Sequence, residues 1–341
     1  MSAGATSPRI YTLPEIERAT STPSFRSDLI DAIAAAFAQY SSGGFNACPI
    51  QTMGAPPMAR LSCASDDRYA AQVCVKSGYV TGAEHFVVKV AAGGHPMPNT
   101  GCMQVFSQRS GALEALLLDD GVLTEMRTAA AGALAARCLG PRSLRRIGVL
   151  GTGIQARFQL RFLRAVTDCR EVLIYGRTAA SAEACRDEWR AEGWDVSLAS
   201  HPDELLRTCG LIVCVTSSRE PLLGNVIAEG GGKFDGGQLI VCIGADAPGK
   251  IEVGTGLVAS ADLLVADSRL QTEERGEYEK VISEGLVSLS DVVEIGEVLQ
   301  GREECQRKGA EDDRLIIFDS SGVAVQDCVV ADMVYRAMMR S

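Results

Sequence analysis

The sequence predicts an α/β chain in which a doubly wound parallel sheet is inserted into a second, α+β domain. Three observations carry this. Between residues 146 and 267, short near-continuous apolar runs alternate with helical segments, as central parallel strands buried on both faces require. The stretch Arg146-Ile-Gly-Val-Leu-Gly-Thr-Gly-Ile-Gln-Ala-Arg157 passes from a buried strand through a glycine turn into a helix. Residues 1–125 look different, with longer extended segments and little helix between them. A chain of 341 residues has room for two domains at a usual ~100–200 residues each.

In order, residues 27–37 form an amphipathic helix, and 41–59, rich in Gly, Pro and Ser, read as loop. Extended segments follow at 71–76, 85–91, 102–106 and 115–118, an antiparallel-leaning sheet. Thr124 is a plausible N-cap for an alanine-rich helix over 126–139, which Gly140-Pro141 ends. The alternating region gives strands at 147–150, 171–175, 195–199, 211–215, 239–243 and 263–266. Helices fall at 154–166 and 179–192 and start near Pro202. Residues 314–325 return to strand character and 327–339 are helical, so the C-terminal segment is expected to complete the first domain. The boundaries are therefore 1–126 with 315–341 for the outer domain and 127–314 for the inserted one.

Composition narrows the partners. A net charge of −10 and a pI near 5.0 argue against nucleic acid or an anionic membrane surface. No apolar run reaches the ~18–20 residues of a membrane span. Residues 1–9 lack the basic-then-apolar pattern of a secretory leader, so a cytoplasmic protein is expected. Twelve cysteines, never spaced C-x-x-C, and three histidines give no metal-ligand pattern, and the cysteines read as reduced core hydrophobes. In the glycine turn, Gly151 permits a tight bend and Gly153 lets backbone approach a pyrophosphate. The helix opening at Ile154 and Gln155 offers free N–H groups to it. The expected cofactor is a dinucleotide.

Six motifs together resemble the ornithine cyclodeaminase/mu-crystallin family. They are Phe86-Val-Val-Lys-Val-Ala-Ala92, Leu123-Thr-Glu-Met-Arg-Thr-Ala-Ala-Ala131, Gly151-Thr-Gly-Ile-Gln-Ala156, Gly244-Ala-Asp-Ala-Pro-Gly-Lys250, Val265-Ala-Asp-Ser268 and Ser321-Gly-Val-Ala-Val-Gln-Asp327. The resemblance implies a Rossmann-type sheet, an outer domain that binds substrate and dimerises, and a homodimer. It implies that Lys89 and Arg127 grip a substrate carboxylate, with Arg60 as a further arginine there, and that Lys89 also helps proton traffic. Asp246, just past a strand's carboxyl end, matches a catalytic aspartate that serves the substrate nitrogen. Thr128, Val215, Thr216, Ser217, Gly322 and Val323 resemble further cofactor contacts. Arg177 and Thr178, where an NAD binder usually carries an acid for the ribose, tilt the expectation toward NADP over NAD.

Lys76 departs from the cyclodeaminases. It stands where their glutamate would receive the distal ammonium of ornithine. A lysine there repels a cationic side chain and attracts an anionic one. The chain is thus expected to reduce a small α-imino acid with NAD(P)H, a dicarboxylate such as iminosuccinate, giving aspartate. Cyclising deamination of a diamino acid, ketimine reductase or alanine dehydrogenase activity, and a non-catalytic crystallin-like binder are the alternatives.

Overall fold

The computed structural model describes residues 7–54, 72–94, 97–224, 237–307, 309 and 312–340. The chain divides into two compact units, residues 1–127 with 323–341 and residues 128–322.

The first unit begins with β1 (Arg9–Tyr11), α1 (Leu13–Thr20) and α2 (Phe25–Ser41). Thr12 and Glu15 make a reciprocal capping box at the start of α1, with Pro14 in its first turn. Then come β2 (Phe45–Ala47), β3 (Gln51–Met53), β4 (Gln72–Val80), β5 (His85–Gly94), β6 (Met97–Ser107) and β7 (Leu113–Leu117). The helix α3 (Val122–Leu139) follows, and its residues up to Arg127 belong to this unit. The strand order is β1-β7-β6-β5-β4-β2, with β3 also on β4. Every pairing is antiparallel except β1 with β7.

Period-two alternation gives this sheet two faces. Val87, Lys89, Met103, Val105, Ala115 and Leu117 are buried on the face that meets the helix α11 (Ala324–Arg340). Helix α2 packs on α11 and buries Leu29, Ile30, Ile33 and Phe37, spaced to form one stripe. The opposite face presents Val75, Tyr79, Phe86, Val88, Val90 and Phe106 half-exposed, with Ile10 and Met53 largely exposed at its margins.

The second unit starts with β8 (Ile147–Leu150), α4 (Ile154–Leu163), β9 (Glu171–Tyr175), α5 (Ala179–Ala191), β10 (Asp195–Leu198) and α6 (Asp203–Thr208). It continues through β11 (Leu211–Cys214), β12 (Gln238–Cys242), α7 (Thr255–Ala259), β13 (Leu263–Ala266), α8 (Arg269–Glu274) and α9 (Glu279–Ser283). Strand β14 (Val292–Glu294), α10 (Ile295–Leu299) and β15 (Leu315–Asp319) complete it. All eight described strands run parallel, in the order β10-β9-β8-β11-β12-β15-β13-β14. The order reverses between β8 and β11, the switch point at which ligands bind in open α/β sheets.

Two readings of the sequence need correction. Strand β15 lies in the parallel sheet between β12 and β13, not with the outer domain, so the chain re-enters the first unit at Val323. Leu315–Asp319 is buried at every position, as a strand covered on both faces must be. Helix α3 starts at Val122 rather than after Thr124. Asp119 accepts a hydrogen bond from the Leu123 N–H at 3.0 Å and satisfies that end, and Arg127 falls in the second turn.

Candidate functional site

Within the first unit, three predicted site cations come together. Lys76 on β4 and Lys89 on β5 are direct register partners, so both side chains stand on the face that meets α11. Lys76 is 6% exposed, Lys89 3% and Arg127 6%. Like charges opposite each other in a buried sheet face are costly. The partial remedy is Asp327, 1% exposed in the first turn of α11. Lys89 Nζ donates to Asp327 Oδ1 at 3.1 Å and lies 3.0 Å from Oδ2. Arg127 Nε lies 2.9 Å from Asp327 Oδ1, an ion pair whose angle falls short of a hydrogen bond.

Gln326 braces this arrangement. Its Oε1 accepts from Arg127 Nη1 at 3.3 Å and from the Val323 N–H at 2.8 Å. Asp327 and Gln326 were not singled out as site residues from the sequence. The signal available was their place in the Ser321–Asp327 motif at the start of a helix.

The electrostatics follow from burial. Burial first, then Lys89 and Arg127, push the Lys76 ammonium down to about 8. Burial also lowers Lys89, against the attraction of Asp327. For Asp327, burial pushes upward, but Lys89, Arg127 and Lys76 together hold it below the ordinary carboxylate value. Lys89 and Arg127 thus share one carboxylate, Asp327, and Lys76 is buried beside them. Arg60 lies outside the described residues.

In the second unit the glycine turn has the geometry a dinucleotide needs. Gly151 has φ +122°, and a Cβ there would stand 3.1 Å from the Val215 carbonyl and 3.2 Å from Thr216 Cγ2. The turn is thereby seated against the end of β11. Gly153 is the N-cap of α4, and a Cβ on it would meet nothing within 4 Å. Open space thus lies before the first turn of α4, where a pyrophosphate fits. Arg157 holds the turn by donating to the carbonyls of Thr152 (3.0 Å) and Gly153 (3.1 Å) while pairing with Glu188 at 2.7 Å.

The remaining predicted contacts are spread around these strand ends. Thr178 caps α5 by accepting from the Ser181 N–H at 3.3 Å, and Arg177 beside it is exposed. Val215 and Thr216 are half-buried and Ser217 is exposed. Thr128 is buried, its carbonyl accepting from Gln159 Nε2 at 3.3 Å. Gly322, at φ +82°, donates to Asp267 Oδ2 at 2.8 Å, whereas Val323 is buried in the first unit. Asp246 sits on the loop after β12, its side chain 57% exposed, with Lys250 Nζ 2.5 Å from its Oδ1. Among the described residues no cluster of three His, Cys, Asp or Glu side chains could hold a metal, and no helix is long and apolar enough to cross a membrane.

A parallel sheet with a glycine turn at its switch point defines a dinucleotide-binding α/β protein. The ornithine cyclodeaminase/mu-crystallin family model matches residues 15–341, and the chain belongs to that family. It is 34% identical to an uncharacterised cyclodeaminase of Sinorhizobium fredii, over 84% of this chain and 86% of that one. It is 31% identical to the iminosuccinate reductase of Paracoccus denitrificans, over 67% of this chain and 68% of that one. Among solved structures, an archaeal alanine dehydrogenase dimer with bound NAD superposes with a TM-score of 0.82 at 26% identity, covering 98% of this chain and 96% of that one.

Proposed function

We propose that this protein is a nicotinamide-dinucleotide-dependent oxidoreductase that reduces a small α-imino acid bearing a second carboxylate. One observation carries the reading: Lys76, Lys89 and Arg127 are buried together, with Lys89 and Arg127 sharing Asp327. Burying ions costs several kcal/mol each unless counter-charges are in place. Asp327 is shared by Lys89 and Arg127, and three cationic side chains gathered in one buried place suit a ligand with two carboxylates. Lys89 and Arg127 take the α-carboxylate, and Lys76 takes the distal one. The relative from Paracoccus denitrificans, named for iminosuccinate, fits this class. Arg177 at the end of β9 keeps NADP ahead of NAD as the partner, although the archaeal alanine dehydrogenase holds NAD.

A reduced nicotinamide, when bound, supplies the hydride. The chain's own residues then do the rest. The carboxylate grip fixes the imine carbon in place. Asp246 stabilises the protonated nitrogen, which makes the C=N bond a better hydride acceptor. The carbon gains the hydride, the nitrogen keeps its proton, and an amine results. Cyclising deamination, suggested by the name of the Sinorhizobium fredii relative, would ask Lys76 to accommodate a second ammonium, which like-charge repulsion opposes. The apolar outer face of the first unit, with Phe86, Val88 and Val90 at its centre, is assigned to self-association.

The test is Asp246→Asn. Turnover is expected to fall at least 100-fold, the low end for general acid–base groups, with cofactor affinity unchanged. Undiminished turnover in a steady-state assay removes Asp246 from the reaction.

A further inference from the structure

We propose that Glu252 is a positioning residue that ties the loop after β11 to the loop that carries Asp246, so that the two are held as one piece. The inference rests on the role given to Asp246 above. Glu252 is fully buried. Its Oε1 accepts from the Thr216 N–H at 2.5 Å and its Oε2 from the Gly244 N–H at 2.9 Å. Cys214 and Cys242, the last residues of β11 and β12, are register partners, and the ladder extends one bond further, from the Ile243 N–H to the Cys214 carbonyl at 2.9 Å. Beyond that point the sheet no longer joins the two loops, and the carboxylate does so next to the strand ends, with a bond from the Ile251 N–H to the Ser218 carbonyl at 3.1 Å farther out.

Glycine is required at 244, because a Cβ there would collide with the Thr216 carbonyl and with Glu252 Oε2. Glu252 is itself clamped from both sides. Its N–H donates to Glu277 at 2.9 Å, and its carbonyl accepts from the Leu222 and Leu223 N–H groups at 2.8 and 3.0 Å. Two loops at the switch-point end of the sheet therefore share one anchor. Thr216 touches the glycine turn, and Gly244 leads within two residues to Asp246. Burial pushes Glu252 up to about 7, against the two N–H donors and Lys250. The burial cost shows that a carboxylate is kept here despite a penalty that an apolar side chain would avoid.

The experiment uses the full chain with Glu252→Gln and Glu252→Asp. The readouts are the dissociation constant of the reduced dinucleotide by its fluorescence, kcat, the KM of the imino acid, and Tm. A glutamine can accept from only one of the two N–H groups through its oxygen. E252Q is expected to weaken cofactor binding about tenfold and to lower kcat about tenfold or more, with KM within twofold. E252D, which keeps the charge but is a methylene shorter, is expected to recover part of both. A folded E252Q with cofactor affinity and kcat within twofold of the parent overturns the proposal, whatever happens to Tm. If E252Q does not fold, E252D is judged by the same thresholds.

A measurement on the parent needs no variant: added dinucleotide should slow amide exchange at Thr216 and Gly244 together. Slowing at Thr216 alone overturns the shared anchor. Neither cofactor affinity nor amide exchange involves the imino acid, so a failure of the Asp246 assignment would leave both results standing and be recognised separately.

Discussion

Replacing Lys76 by methionine removes the charge and keeps most of the volume. Two opposite effects should follow. A drop in pKa from the ordinary 10.5 to about 8 corresponds to about 3 kcal/mol of native-state cost at neutral pH. The sign is fixed by the direction of the shift. Below pH 8 both folded and unfolded chains carry the proton and the cost is present in full. It is relieved as the folded state loses its proton between pH 8 and about 10.4. K76M should therefore melt higher than the parent at pH 7, by on the order of 5–10 °C, with the gain shrinking toward pH 10. The functional effect runs the other way. A charge-assisted hydrogen bond contributes about 1.5–3 kcal/mol, so kcat/KM for a dicarboxylic substrate should fall roughly 10- to 150-fold. A monocarboxylic substrate of the same length should change little. Differential scanning calorimetry and steady-state kinetics read the two effects. A variant that melts lower, or that keeps the parent's ratio of dicarboxylate to monocarboxylate rates, refutes the role given to Lys76.

Two further outcomes are expected. Asp327→Asn leaves Lys89 and Arg127 without their shared counter-charge and should destabilise the fold by about 3–5 kcal/mol. Added succinate should raise its Tm more than the parent's, and equal shifts would count against an anion-binding cluster. Val88→Asp places a charge in the middle of the half-exposed apolar face, and sedimentation should find a single chain for the variant and a dimer for the parent. An unchanged mass would move the self-association surface elsewhere.

The glycine turn was legible because it sits between two elements whose periods differ, and strands 147–150, 171–175 and 263–266 are found where the apolar runs end. The sequence could place Lys76 and Lys89 on strands, but not opposite one another. That pairing is set by the β4–β5 register, which no local pattern encodes. Asp327 stayed hidden because an acid in the first turn of a helix is favoured by the helix dipole alone. Strands β1, β2 and β3 have three residues each, too few to show alternation, and β2 and β3 lie in a stretch whose Gly and Pro read as loop. Strand β15 was recognised as extended but given to the wrong sheet, because an apolar run does not name its neighbours.

The central claim is that buried lysine and arginine side chains select an imino acid with two carboxylates. Oxaloacetate, pyruvate and glyoxylate, each mixed with ammonium, and a cyclic ketimine alone can be supplied in turn while oxidation of NADPH and NADH is followed at 340 nm. Fastest oxidation with oxaloacetate and ammonium, yielding aspartate, is the predicted result. Preference for pyruvate or for the cyclic ketimine over the dicarboxylate would contradict the claim.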